Sequence, residues 1–138
     1  MFALLPASCG ASQAGDSGYA AQNPFTAAEV AKFDEPWALA VDPGTGTVFV
    51  TEKAGRIKFV EPSGKMGFVT GLPKVAYGGQ GGLGDFIFAP GQNSTSLDRR
   101  TVYLSWAEAG DGDTRGAAVG RAEMVCEDHA SCALKIFG

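Results

Sequence analysis

The sequence predicts an all-β fold, the first two four-stranded blades of a β-propeller standing in an incomplete ring. Three observations carry that expectation. Eight strand-sized runs alternate with Gly/Pro turns between Trp37 and Phe137. The eight fall into two sets of four that align with each other. Glycine supplies 20 of 138 residues while charged residues are held to 19% and aromatics reach 10%, a mix suited to short strands and tight turns rather than a helical bundle.

The first set is WALAVDP, a PGTG turn, TVFVTEKAG, RIKFVEPSG and MGFVTGLP. The second is GLGDFIFAPG, TVYLSWAEAG, AAVGRAEMV and ALKIFG. Asp42-Pro43-Gly44 aligns with Ala89-Pro90-Gly91 at an offset of 47 (Pro43 to Pro90), and Thr47–Thr51 with Thr101–Ser105 at an offset of 54 (Thr47 to Thr101). The second copy therefore carries a seven-residue insertion within GQNSTSLDRR. Repeats of about 40–50 residues with four strands each are the signature of propeller blades, and a ring needs about 4–8 of them, so two leave it open.

Upstream of Trp37 two patterns compete. Thr26-Ala27-Ala28-Glu29 has the spacing of a helix capping box. Glu29–Phe33 alternates polar and apolar residues before the turn signal Asp34-Glu35-Pro36, and we take a strand there.

Residues 1–25 are expected to be a truncated signal- or lipoprotein-like segment and linker, and residues 26–138 a partial propeller domain. MFALLPASCG runs from a short apolar stretch into small residues, without the basic start and longer apolar core of a complete export signal. LPASC resembles, imperfectly, a bacterial lipoprotein cleavage box, which makes Cys9 a candidate for lipidation; the other reading is an incidental terminal cysteine. A periplasmic or otherwise extracytoplasmic location is the corresponding expectation, with a lipid anchor through Cys9 as its candidate form.

The net charge of −4 and the scattered Lys and Arg leave no basic footprint, which excludes nucleic acid as a partner class. Cys126 and Cys132 flank His129 in CEDHASC. A small disulfide loop, a zinc site and two free thiols are the three readings; the single histidine and lack of further cysteines nearby disfavour zinc, and export favours the disulfide.

The stretch YGGQGGLGD, Tyr77–Asp85, sets Gln80 between two glycine pairs at the mouth of a strand. An amide can both donate and accept a hydrogen bond without adding charge. The flanking glycines allow a flat ligand to approach the backbone. As sequence alone, such a loop also serves as a plain turn.

PWALA, VTEKAGRIKFV, GLPKV followed by YGGQGGLGD, VYLSWAEAG and RGAAVGRAEM together resemble, in order and spacing from about Val30 to Phe137, the start of the glucose/sorbosone dehydrogenase family. These are the pyrroloquinoline-quinone (PQQ)-dependent aldose sugar dehydrogenases. The resemblance implies exported six-bladed propellers that bind PQQ and calcium, oxidise the C1 hydroxyl of an aldose to a lactone and pass electrons to an acceptor. It implies that Gln80 matches a family glutamine beside quinone and sugar, making it the cofactor-binding residue here. The family's general-base histidine, cofactor clamp and calcium ligands lie in later blades, so no catalytic and no metal residue is assigned in this chain, and the chain alone is expected to be inactive. His129, in a turn between cysteines, does not match the base.

Other candidates receive structural roles. Trp37 is expected in the core rather than as a sugar platform, Asp85 as a structural carboxylate, Glu52 and Arg56 as a local pair, and Gly110–Asp113 as a solvated hairpin tip. Asn93-Ser94-Thr95 fits a glycosylation pattern that bacterial export does not normally use. Two rival functions belong to other classes: a non-catalytic propeller that binds protein or glycan, and a propeller hydrolase acting on lactones.

Overall fold

A computed structural model describes residues 25–128 and 130–137. Cys9 and His129 lie outside them. Eight strands follow one another: β1 Pro36–Val41, β2 Val48–Glu52, β3 Arg56–Val60, β4 Met66–Thr70, β5 Leu83–Phe88, β6 Arg99–Ala109, β7 Arg115–Cys126 and β8 Ser131–Phe137. They form two antiparallel meanders, β1–β4 and β5–β8, each with the four-stranded order of a propeller blade.

The internal repeat holds at the level of register. Leu39, Ala40 and Val41 lie opposite Val50, Phe49 and Val48, and Phe86, Ile87 and Phe88 lie opposite Leu104, Tyr103 and Val102. Those pairs are related by the two sequence offsets. Both inner strands also bulge at the same place, between Pro36 and Leu39 and between Leu83 and Phe86. A bulge withdraws a backbone N–H from the ladder, and each blade supplies a hydroxyl for it. The N–H of Ala38 donates to Thr51 Oγ1 at 3.0 Å, and that of Asp85 to Ser105 Oγ at 2.9 Å.

Each blade is apolar on the face that meets the other. Phe49, Ile57, Phe59 and Val69 from the first blade pack against Leu83, Phe86, Val102, Leu104, Ala122 and Met124 from the second. The Phe49 ring lies 5.6 Å from that of Phe86 and 5.3 Å from that of Phe88, distances typical of favourable ring pairs.

The sheet does not stop at the blade. β4 and β8 pair in parallel, with Phe68, Val69 and Thr70 opposite Ser131, Cys132 and Ala133, so the outer strands join both blades into one eight-stranded sheet. Beside that seam Cys126 and Cys132 are disulfide-bonded, closing the β7–β8 turn. Within the turn Asp128 accepts the N–H groups of Ala130 and Ser131, which hold its carboxyl below the usual carboxylate range.

Two expectations are corrected. Residues 29–33 form no strand, and no helix either, because the chain enters β1 through Glu35 with φ of 46°, a left-handed bend that turns the preceding segment off the sheet edge. Trp37 is not core: 62% of it is exposed, since Ala38 and Ala40 take the inward positions of β1.

The predicted pairing of Glu52 with Arg56 is present and larger than foreseen. Glu52 is buried, accepts Arg56 Nε at 2.6 Å, Lys58 Nζ at 2.7 Å and the Asp34 N–H at 2.7 Å. Burial alone would raise its pKa, but those three donors outweigh it and bring the carboxyl down to about 2. Gly110–Asp113 lies in an exposed hairpin tip between β6 and β7, as its composition predicts.

Candidate functional site

Because successive strands are antiparallel, the β2–β3 turn, the β4–β5 connection and the β6–β7 turn lie at one end of the sheet. The glycine-rich stretch is the β4–β5 connection. It is stitched to both neighbours by backbone: Leu83 N–H donates to the Lys53 carbonyl at 3.0 Å, Ala107 N–H to the Gly82 carbonyl at 2.8 Å, and Ala76 N–H to the Ala107 carbonyl at 2.8 Å. Gly81 N–H closes on the Gly78 carbonyl at 2.8 Å, making a tight turn whose tip holds Gly79 and Gln80. Gly82 has φ of +126°, and a Cβ there would come within 2.4 Å of the Lys53 carbonyl oxygen, so the glycine is required by conformation and by space.

Side chains brace the same loop. Lys53 Nζ donates to the Gly79 carbonyl at 2.6 Å and lies 5.6 Å from the centre of the Tyr77 ring. The Tyr77 hydroxyl donates to Glu35 Oε2 at 2.6 Å, and that hydrogen bond to a carboxylate raises its pKa. The residue forced into a left-handed bend thus anchors the loop's aromatic.

A cleft of about 420 Å³ opens beside this loop. Gln80 and Lys53 stand on its lining with Trp37, Trp106, Ser105 and Arg115. Gln80 is exposed. The lining carries two cations, Lys53 and Arg115, and no carboxylate. The Trp106 indole Nε1 is buried without a hydrogen-bond partner, the sole such side-chain atom among the described residues. A buried donor left unmade costs about 1–3 kcal/mol.

The sequence singled out Gln80 but not its company. Lys53 follows β2, Arg115 opens β7 and Trp106 sits within β6, and nothing local distinguishes them from ordinary turn or strand residues. Only the repeat and the top-end turns it implies could have pointed to them. Asp85 is exposed, is absent from the cleft lining and takes the N–H of Phe86 at 2.9 Å, a local structural role. Among the described residues no group of three or more His, Cys, Asp or Glu is placed to hold a metal ion.

The glucose/sorbosone dehydrogenase family model matches residues 33–137. The chain belongs to that family. Among glucose/sorbosone dehydrogenase relatives, the curated aldose sugar dehydrogenase YliI of Escherichia coli K12 is 36% identical over 90 residues. The solved structure of the soluble aldose sugar dehydrogenase from Escherichia coli in the apo-form is 30% identical with a TM-score of 0.60, and that of a glucose dehydrogenase is 33% identical with a TM-score of 0.62. These alignments cover 64%, 75% and 76% of this chain but 23%, 29% and 30% of the relatives, so the chain spans under a third of their length. Its homologues are sugar dehydrogenases, which makes the family one of oxidoreductases.

Proposed function

We propose that the cleft beside Gln80 is one wall of a quinone- and sugar-binding site, and that this chain is a portion, inactive alone, of an aldose sugar dehydrogenase with PQQ as the hydride acceptor. The observation that carries this reading is the convergence on one cleft of an exposed amide, two cations and two tryptophans. PQQ is a flat tricarboxylate, and that lining fits it: Arg115 and Lys53 offer positive charge to carboxylates, and Trp37 and Trp106 offer apolar ring surface to a flat ligand. When bound, the quinone supplies the two-electron acceptor for oxidation of the sugar's C1 hydroxyl to the lactone level.

This chain's residues bind and orient. Gln80 can donate to a carbonyl and accept from a sugar hydroxyl, which fixes a substrate oxygen without altering the charge near the acceptor. The Lys53 ammonium, held by the Gly79 carbonyl, keeps the loop closed against the cleft. Among the described residues none is assigned as a general base. The described residues do not fit calcium, and no step is assigned to it. The Cys126–Cys132 disulfide supports an extracytoplasmic location, where such bonds persist. An external electron acceptor and, through Cys9, a lipid anchor belong to the same proposal.

Titration of the chain with PQQ, followed by quenching of tryptophan fluorescence, tests it. Saturable quenching that weakens about tenfold in Arg115→Ala is expected. The same samples, given calcium, glucose and a redox dye, should reduce no dye above the protein-free rate. Absence of quenching, or quenching indifferent to Arg115, would overturn the reading.

A further inference from the structure

The turns at the far end of the sheet from Gln80 build a groove of their own. The β1–β2, β3–β4, β5–β6 and β7–β8 connections enclose about 420 Å³ between the two blades, and both walls belong to this chain. Residues 95–98 line it, so the insertion that distinguishes the second blade from the first supplies part of one wall. That wall is fixed on two sides. Arg100 donates to the Ser94 carbonyl at 2.7 Å and to Asp42 Oδ1 at 2.6 Å, and the Cys126 N–H donates to the Asp98 carbonyl at 2.9 Å. A preorganised groove loses less freedom when it takes a ligand.

The lining carries four carboxylates, Glu61, Asp98, Glu127 and Asp128, and no Lys or Arg. The cleft beside Gln80 has the reverse, two cations and no carboxylate. Two of the four are engaged: Glu61 accepts the Ser63 hydroxyl at 3.2 Å, and Asp128 caps its own turn, with Lys65 near enough to favour its charge. Asp98 and Glu127 are exposed, and their carboxylates make no hydrogen bond or ion pair among the described residues. Pro62, Leu97 and Phe59 add apolar surface to the same lining. A metal ion does not match it, since no group of three or more His, Cys, Asp or Glu among the described residues is placed to hold one. A long basic side chain does, because it joins an apolar stem to a charged head. Arginine fits better than lysine: its planar fork takes two carboxylate oxygens and is weakly hydrated.

We propose that this groove is a docking site for a partner protein that presents an arginine-bearing basic segment, the guanidinium set against Asp98 and Glu127 and the stem against Pro62 and Leu97. Charge complementarity carries the assignment. A groove lined by negative charge alone, on a chain of net charge −4, attracts and orients a basic partner. The site is independent of the cleft and its ligand.

Amide chemical shifts of the ¹⁵N-labelled full chain, followed through titration with a capped tetra-arginine peptide, read it. Saturable changes are expected at Thr45, Ser63, Ser96, Asp98 and Glu127, weakening as salt is raised. Asp98→Asn with Glu127→Gln should weaken binding about tenfold. Asp111→Asn with Asp113→Asn removes the same charge from the hairpin tip at the other end and should leave affinity within about twofold of wild type. All four side chains are exposed, so both double variants should keep the fold. The citrulline counterpart of the peptide, which keeps the shape of arginine without its charge, should not bind. No saturable change, equal losses in the two double variants, or equal binding of the citrulline peptide overturns the proposal, the last by making the groove a site for an uncharged ligand.

Discussion

Asp42 and Arg100, 58 residues apart, form a two-pronged ion pair sealed from solvent: Arg100 Nε donates to Asp42 Oδ1 at 2.6 Å and its NH2 group to Oδ2 at 3.0 Å. Their side chains are 0% and 2% exposed. Both partners make further bonds, with Arg100 also donating to the carbonyls of Arg99 and Ser94 and Asp42 also accepting from the Thr45 N–H and hydroxyl. The pair fastens the seven-residue insertion of the second blade to the β1–β2 turn of the first. Removing one partner leaves a buried charge alone, which costs about 3–5 kcal/mol. Arg100→Ala is therefore expected to lower the urea midpoint steeply, and Arg100→Met with Asp42→Leu together to recover most of the loss. A double variant as unstable as the single one contradicts this.

Acid should unfold the protein in a defined window. The Glu52 carboxyl sits at about 2 in the folded chain against an ordinary 4.5. A depressed pKa means stability that is fully present above 4.5 and drains as pH falls toward 2. Asp42 shifts in the same direction: burial opposes its charge, and the Arg100 and Thr45 hydrogen bonds more than reverse that. The urea midpoint should be flat from neutral pH to about pH 5 and fall below it. Glu52→Gln should remove part of that fall, on the order of 1–2 kcal/mol once screening by solvent at Arg56 and Lys58 is counted. A wild-type midpoint unchanged down to pH 3 would refute it.

How much of this was legible beforehand depends on how local the cause is. All eight strands could be placed from period-two alternation and Gly/Pro punctuation, because hairpins are set by residues a few positions apart. The two offsets even fixed equivalent registers. The Asp42–Arg100 pair was invisible, since Asp42 sits in a turn and Arg100 in β6, 58 residues away, and neither carries an apolar signal. So was the parallel β4–β8 seam, which depends on how blades meet rather than on any turn. Trp37 misled because a tryptophan opening an apolar strand suggests burial, whereas alternation in β1 gave the inward places to alanines. Gln80 stood out by its glycines; Lys53, Arg115 and Trp106 needed the fold to bring them to it.

The disulfide steadies the seam. It closes a loop between residues six apart, and chain entropy for so short a loop is worth about 2 kcal/mol. Reduction, or Cys126→Ser with Cys132→Ser, should lower stability by about that amount while hydrogen exchange accelerates at Phe68–Thr70 as well as at β8. Faster exchange confined to β8 would show that the seam does not depend on the bond.

Gly82→Ala should act on both stability and ligand. The added Cβ meets the Lys53 carbonyl in a backbone conformation that side chains rarely adopt, a combined cost of about 1–3 kcal/mol. Since Gly82 accepts the Ala107 N–H and packs against the Lys53 carbonyl, quinone binding should fall with it, whereas Gly79→Ala meets nothing within 4 Å and strains only its own φ of 54°. Fluorescence titrations of the two variants beside their unfolding curves check this; equal binding losses would place the effect outside the packing at Gly82.

The central claim is that this loop end of the blades holds the quinone. Amide chemical shifts of the ¹⁵N-labelled chain, followed through a PQQ titration, test it most directly. The account predicts saturable changes gathered at Lys53, Gly78–Gly84, Ser105–Ala107 and Arg115–Ala117, with the Gln80 side-chain amide among the largest. Changes centred on the opposite end, around Thr45, Ser96 and Asp128, or no saturable change at all, would contradict it.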